Sequence, residues 1–395
     1  MTEFTIASFN AKNLIGAERE HYRFERYTEE EFAWKADWMA DQLLSLGADV
    51  VGFQEIFEEA PLAGIIAEAD SRGAALNAAR VPDRSKRHHR RATFRQFEWQ
   101  SYAEAELAFS PNANDGGPGA RRPGLALLSR FGFVGPVKAL QVLEPAVEIP
   151  LADLGGGENG VFRLSRLSRP IQKARVPVGG QVVTVFNCHL KSKLGAYPRG
   201  DGPAPEADLL TYDPLGRAMG ALRAALRRMA EAWVLRRAVL AELDQGRPVI
   251  VLGDFNDNEH AVSTEIVTGE RPFKNYAWMR RHDAERADQR YSDAEAVAIT
   301  ERIEAVRLYP AETLFLRKSL RDMVFTTAFG GVFESIDQIL LSRHFHPDFA
   351  GRIGEMTFFS VLNDHLTDGA HPEAPYKTLA SDHGQIMAHL RLGPG

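Results

Sequence analysis

Val249-Ile250-Val251-Leu252-Gly253-Asp254-Phe255-Asn256 decides how the chain reads. Four apolar residues, three of them β-branched, form a buried strand. Gly253 then allows a tight bend. Asp254 and Asn256 follow, two apart, just past the strand, where residues i and i+2 face the same way. A carboxylate and an amide aimed together from the end of a core strand suit a hard cation, an attacking water or a phosphate oxygen. The same two residue types also close a strand through an Asx turn.

The 395 residues, 44% of them hydrophobic, can bury a large core. The net charge of −6 excludes a globally basic, histone-like binder but admits an acidic metal site beside local basic patches. One cysteine, Cys188, excludes an intrachain disulfide and a thiolate zinc cluster. Met1-Thr2-Glu3-Phe4-Thr5-Ile6 has neither the basic start nor the apolar stretch of a secretory signal. No run approaches the roughly 18 apolar residues of a membrane span. The expectation is a cytoplasmic protein with no membrane span and no obligate protein partner.

Other strands end as the opening one does. Phe4 to Asn10 alternates and ends at Asn10. A helix capped by Thr28 and closed by Gly47 leads to Asp49–Phe53, which delivers Gln54-Glu55. Leu125–Ser129 follows Arg121-Arg122. Val176–Val178 and Val182–Phe186 pair across Gly179-Gly180, and the second runs into His189-Leu190-Lys191. Leu215–Leu243 reads as a long helix with an apolar stripe at 215, 219, 222, 226, 229, 233, 240 and 243 and arginines on a solvated face. Glu334–Leu341 carries Asp337 inside an apolar strand, which is costly unless the acid has a partner. Ser381-Asp382-His383 precedes the terminal strand 385–392. Residues 143–160 read as loop. Residues 61–123 and 257–331 read as irregular insertions, with helical composition at 283–306. The run Arg84-Ser85-Lys86-Arg87-His88-His89-Arg90-Arg91, with Phe94, Phe97, Trp99 and Tyr102 beyond it, fits either a phosphate-backbone contact with stacked bases or a solvated loop before an ordinary strand.

Asn10, Gln54-Glu55, His189, Gly253-Asp254-Phe255-Asn256, Ile336-Asp337 and Ser381-Asp382-His383 stand in an order and spacing that resemble the endonuclease/exonuclease/phosphatase superfamily. That group includes deoxyribonuclease I, abasic-site endonucleases, neutral sphingomyelinases and inositol polyphosphate 5-phosphatases. The motifs span nearly the whole chain, and the His189–Lys193 run looks most like bacterial nuclease members.

The resemblance implies an α/β fold: a four-layer sandwich of two mixed, mostly antiparallel sheets packed face to face with helices outside, residues 1–395 forming one domain. It implies phosphodiester hydrolysis assisted by magnesium, with manganese as a substitute. Glu55 would be the principal metal ligand, with Asn10 and Asp382 beside it. Asp254 would position or deprotonate water, and Asn256 would hold that water or the phosphate. Asp337 would fix His383 as an imidazolium against the pentacovalent phosphate, and His189 would bind a nonbridging oxygen or protonate the leaving one. Lys191 and Arg122 join Asn10 and Asn256 as substrate-binding candidates. DNA is the expected substrate; a nucleotide, inositol phosphate or phospholipid head group is the alternative.

Overall fold

In the computed structural model, residues 2–79, 98–151, 160–198, 206–271, 279, 281, 283–286, 288–316, 324–366 and 379–393 are described. β1 (Thr2–Leu14) opens the chain. α1 (Glu29–Leu46) starts on the expected capping box, Thr28 with Glu31, and stops at Gly47 in the left-handed conformation. β2 (Val50–Ile56), α2 (Glu59–Ala79), β3 (Glu106–Ser110) and β4 (Gly124–Ser129) follow. β5 (Lys138–Leu151), β6 (Gly160–Val178) and β7 (Gln181–His189) form a meander whose last turn is Gly179-Gly180. α3 (Pro214–Leu243) leads into β8 (Val249–Asp254). Beyond it lie α4 (Val262–Thr268), α5 (Asp293–Val306), β9 (Leu308–Pro310), α6 (Ala311–Leu316), β10 (Thr327–Phe329) and β11 (Val332–Glu334). β12 (Asp337–Ser342), β13 (Gly354–Leu362) and β14 (Gln385–Leu392) complete the chain.

The strands assemble into two six-stranded sheets, ordered β13-β14-β1-β2-β4-β3 and β5-β6-β7-β8-β12-β9. Within them β1–β2 and β7–β8 pair in parallel and the other neighbours antiparallel. Alternate residues then sort into layers. Ile6, Val50, Val183, Val185, Ile250, Leu252, Ile339 and Leu341 meet between the sheets. Ala7, Phe9, Val51 and Phe53 pack on Met39 and Leu43 of α1 and on Leu62 and Ile65 of α2. Phe186, Cys188, Val249 and Val251 pack on Val234, Leu235 and Val239 of α3. Helices, sheet, sheet and helix make the expected four-layer α/β sandwich. Among the described residues no helix is long and apolar enough to cross a membrane.

Several local expectations are overturned. The supposed insertion at 61–123 contains α2 and β3, because Leu62, Ile65, Ile66, Ala69 and Gly73 form one buried stripe on the sheet. The supposed loop at 143–160 is largely the β5–β6 arm, whose Leu143 and Val147 are buried under α3. The second insertion, read as helical only at 283–306 where α5 lies, holds three helices and two short strands among its described residues. The stripe read on α3 is the wrong face: Leu215 is 82% exposed and Leu222 52%, whereas Ala224, Arg228, Glu231, Val234, Leu235 and Glu242 are buried. Those glutamates are matched, Glu231 by the Ser168 and Lys191 amides and Glu242 by Lys173, Thr184 and Arg247, so burial is tolerated. The basic run 84–91 with Phe94 and Phe97 lies outside the described residues. Trp99 and Tyr102 are core side chains, their polar tips bonded to Asp70 and to the Ala48 carbonyl, which removes them as base-stacking groups.

A polar bolt crosses the apolar layer between the sheets. The Asn187 amide of β7 donates to Phe53 O, Ala126 O and Gln172 Oε1, and its oxygen accepts from Gln54 Nε2 at 2.8 Å. Gln54 also accepts from Ser8 Oγ, and Gln172 donates to Ala108 O and Ser110 Oγ. A closed network of this kind fixes the register of one sheet on the other. Asn187→Ala is expected to cost about 1–3 kcal/mol for each group it orphans, read as a lower urea midpoint at unchanged slope.

Candidate active site

Strand parity builds the site. Phe4, Ile6, Ser8 and Asn10 of β1 share the inter-sheet face, as do Val183, Val185, Asn187 and His189 of β7. Ile250 and Leu252 of β8 and Ile339 and Leu341 of β12 extend the same parity to Asp254 and Asp337. In register, Asp254 stands beside His189 on one side and opposite Asp337 on the other. Four polar residues therefore end four apolar rows at one edge of the inter-sheet core. Gly253 must be glycine: its φ is +138° and a Cβ would lie 1.9 Å from the Cys188 carbonyl oxygen.

The fifth member, His383, comes from the same sheet as Asn10. Ser381 Oγ donates to Asn10 O at 2.7 Å and accepts from His383 N, which docks the loop before β14 onto β1. His383 Nδ1 then lies 2.9 Å from Asp337 Oδ2, and its Nε2 lies 3.8 Å from Asp254 Oδ2. Around that same Asp254 oxygen are Asn10 Nδ2 at 3.1 Å and His189 Nε2 at 3.2 Å. The other Asp254 oxygen accepts from Asn256 N at 2.7 Å. That bond is an Asx turn, so both readings of the opening motif hold at once: one oxygen closes the turn and the other faces the cluster.

Electrostatics follow from burial. Burial opposes charge on His383, but Asp337 and Asp254 outweigh it and hold the imidazole well above its ordinary pKa. Burial pushes Asp254 upward; His383 pulls against it, and Asp337 adds to the rise. Burial drives His189 well below the usual value, with Arg169 and His383 adding to the effect. A neutral His189 carries its proton on Nε2, facing Asp254, and its buried Nδ1 has no partner among the described residues. Asp337 Oδ1 is likewise buried without one.

The remaining predicted residues fall into two groups. Glu55 sits in the cluster's field and is a bulge: pairing of β2 skips it on both sides, and its φ is +62°. Without the bulge, alternation after Gln54 would turn it toward the helix layer; instead its Oε2 accepts from Asn13 N. Asp382, exposed, acts with Glu55 on Lys35 and Tyr27. Asn256, at φ +54°, uses its side chain to donate to Leu190 O. Lys191 folds back, its ammonium donating to Ser192 and to Leu194 O. Arg122 is exposed, its guanidinium 5.1 Å from the centre of the Tyr22 ring.

Two wall residues escaped sequence reasoning. Burial raises the pKa of the Tyr22 hydroxyl, with Arg169 opposing and Glu55 adding to the rise. Lys35 is fully buried on α1 and donates to Leu379 O at 3.1 Å. Burial takes its ammonium down to about 7, with Lys12 adding and Glu55 and Asp382 opposing. A signal existed: Lys35, Met39, Leu43 and Leu46 form one stripe, and a lysine on it has no place in an ordinary core. The exposed Trp34 lies off that stripe.

A divalent cation fits this chemistry. Glu55, Asp382 and the Asn10 amide offer hard oxygen donors, and magnesium uses few carboxylates because it keeps several waters. Asp254, Asp337 and His383 also place three ligand atoms within 4.8 Å of one another. There, however, His383 Nδ1 is bonded to Asp337, which is the geometry of an acid–imidazole pair. Two buried carboxyl groups against one imidazolium leave an excess of negative charge that a nearby cation relieves.

Two stacked mixed sheets, helices on both outer faces and an acid–imidazole cluster where strands of both sheets end define a deoxyribonuclease I-like α/β sandwich. The profile described as the Endonuclease/Exonuclease/phosphatase family matches residues 8–383, and the chain belongs to that family, whose members hydrolyse phosphoester bonds. Among solved structures, the chain is similar to an endonuclease/exonuclease/phosphatase family protein from Leptotrichia buccalis C-1013-b, at 12% identity over 98% of this chain and 100% of that one, with a TM-score of 0.45. It is also similar to truncated Caenorhabditis elegans TDP2, at 14% identity, 98% and 97% coverage and a TM-score of 0.46. A mannosyl-6-phosphatase from Bacteroides thetaiotaomicron VPI-5482 shows 13% identity, 98% and 100% coverage and a TM-score of 0.43. No curated protein matches the sequence.

The His383 shift has a sign. A raised folded-state pKa stabilises the fold fully below the ordinary imidazole value of about 6.5, and that contribution is lost as pH rises through the folded value. Histidine-resolved NMR should show His383 protonated at neutral pH in the wild type. Asp337→Asn should move its titration to lower pH, and an unmoved titration would dissolve the pair.

Proposed function

We propose that the protein is a divalent-metal-dependent phosphodiester hydrolase, a nuclease acting on DNA, with residues 1–395 as its single domain. The observation that carries this reading is the His383 imidazole held between Asp337 and Asp254 at the mouth of the inter-sheet core. A phosphodiester is anionic and gains charge on its oxygens as water attacks. A preorganised imidazolium in a buried site is suited to that moment. Glu55, with Asn10 and Asp382, would hold a magnesium ion, for which manganese would substitute. When bound, that ion polarises a nonbridging oxygen and offsets the phosphate charge.

The chain's own groups divide the remaining work. Asp254 Oδ2 receives the proton of the attacking water, and the Asn256 amide NH holds the other Asp254 oxygen still. His383 Nε2 donates to a nonbridging phosphate oxygen while Asp337 holds Nδ1. As the water oxygen bonds to phosphorus the ester P–O bond breaks, the leaving oxygen taking its proton from solvent. His189 supports Asp254 from beneath through Nε2; in our proposal this replaces its expected contact with a substrate oxygen. Arg122 and Arg169, on the wall by Tyr22, provide the cationic rim that a polyanion needs. Lys191 shapes the adjoining loop rather than gripping substrate.

A second reading, hydrolysis of a phospholipid head group, draws on a different observation. Leu209, Leu210, Tyr212, Leu215 and Leu222 are exposed along the start of α3 and the segment before it, and that helix is tied by Arg223 to the loop that leaves the site. Such a row suits a lipid surface.

Supercoiled plasmid incubated with magnesium, manganese or EDTA separates the readings. Nicking is expected with either metal and none with EDTA. His383→Ala and Asp254→Ala should each lower the rate about 10²–10⁴-fold with the fold intact, and Asp337→Asn should cost less than His383→Ala. Intact plasmid together with metal-dependent release of head groups from phospholipid vesicles would replace the nuclease reading by the lipid one. Saturating magnesium, at 100 times its dissociation constant, should stabilise the fold by about 2.7 kcal/mol, and Glu55→Gln should abolish the rise in melting temperature.

A further inference from the structure

We propose that the loop between β1 and α1 carries a base-stacking platform, Phe24, which takes an unpaired nucleobase beside the phosphate at the catalytic cluster. The proposal rests on the nuclease reading and names the part of the substrate that this wall recognises.

The loop is built under strain. Glu18, Arg23 and Phe24 have φ of +55°, +50° and +67°, a region that side-chain-bearing residues enter only when their surroundings impose it. The surroundings here are specific. Glu18 N donates to Tyr27 O, His21 N to Glu25 O and Glu25 N to Tyr22 O, and Arg23 N donates to Gly119 O on the facing loop. His21 is buried between Tyr27, stacked at 5.6 Å, and Phe57. The turn therefore presents its two aromatic side chains, Tyr22 and Phe24, in opposite senses.

Tyr22 turns inward. It packs edge-on against Phe57, feels the charge of Arg169 and lies under the Arg122 guanidinium. Phe24 turns outward and is 72% exposed. It has a floor: a Cβ on Gly119 would come within 2.5 Å of the ring, so the ring rests on bare backbone that only glycine provides. A phenyl group held over a glycine by a strained turn, with its other side open, is presented rather than merely uncovered. The Cα atoms of Tyr22 and Phe24 are at most about 7 Å apart, and the Gly119 floor lies three residues before Arg122, so the ring stands on the same turn as the Tyr22–Arg122 stack.

An aromatic ring beside guanidinium groups is the pairing that single-stranded nucleic acid recognises: bases stack on the ring and phosphates meet the cations. A duplex keeps its bases stacked on one another and offers no free face. The ligand is accordingly an unpaired nucleotide, at a strand end, gap or single strand.

Fluorescence anisotropy tests this in the His383→Ala background with magnesium present, using a labelled single-stranded oligothymidylate and an abasic strand of the same length and charge. The protein with Phe24 is expected to bind oligothymidylate about tenfold more tightly than the abasic strand, the low end of what one stacked base contributes. Phe24→Ala should remove most of that preference without weakening abasic binding, and Phe24→Trp should retain it. Equal affinity for both strands, binding of neither, or equal weakening of both by Phe24→Ala would overturn the platform. The outcomes separate from those of the nuclease reading. Plasmid nicking without a Phe24-dependent preference leaves the nuclease and removes the platform. A Phe24-dependent preference in a protein that cuts no nucleic acid keeps the platform and removes the nuclease.

Discussion

Asp254 and Asp337 face one another across an antiparallel pair at the buried end of the second sheet. Like charges directly opposite destabilise a pair of strands, and burial raises that cost. The group that makes the arrangement tolerable, His383, is not on that sheet at all. It arrives from the loop before β14, in the first sheet, held there by Ser381 on the backbone of Asn10. The chemistry of the site therefore depends on the two sheets closing on one another at a particular offset. The Asn187–Gln54–Gln172 bolt fixes that offset a few residues deeper along the same rows.

The polar cluster and the hydrophobic core are consequently one construction. Ile250, Leu252 and Asp254 are successive members of one row, as are Val185, Asn187 and His189. Moving inward along either row passes from charge to amide or aliphatic side chain without changing face. Slipping β8 by one residue would turn Asp254 toward α3 and bury Val251 between the sheets, so register and catalytic geometry fail together.

Four of the seven non-glycine residues with positive φ among the described residues lie at this end. Lys12, Asn13, Glu55 and Asn256 all have positive φ. The Glu55 bulge re-aims one side chain, and the Asn256 turn folds a backbone amide onto Asp254. Neither departure serves packing, since Ile56 and Phe255 are fully buried on either side of them. Local rules broken next to satisfied core residues are what a functional site looks like from the backbone.

The sequence by itself determined the strands that carry the candidate site, both ends of α1, the Gly179-Gly180 turn and the polar residues that end apolar rows, among them the candidates Asn10, His189, Asp254 and Asp337. Alternation, caps and turn residues are local, and a polar residue ending an apolar row is visible without a partner. Tertiary structure decided what local signals cannot carry. Which face of α3 is buried turned on Glu231 and Glu242, whose burial is possible only because distant donors meet them. Lys35 reads as a surface lysine until the 379–383 loop closes over it. Lys191 and Arg122 look alike as free cations in the sequence, but one is folded onto its own loop and the other lies over Tyr22. The pairing of His383 with Asp337, 46 residues apart, exists only because two sheets stack, since a hydrogen bond depends on distance in space and leaves no periodic trace along the chain.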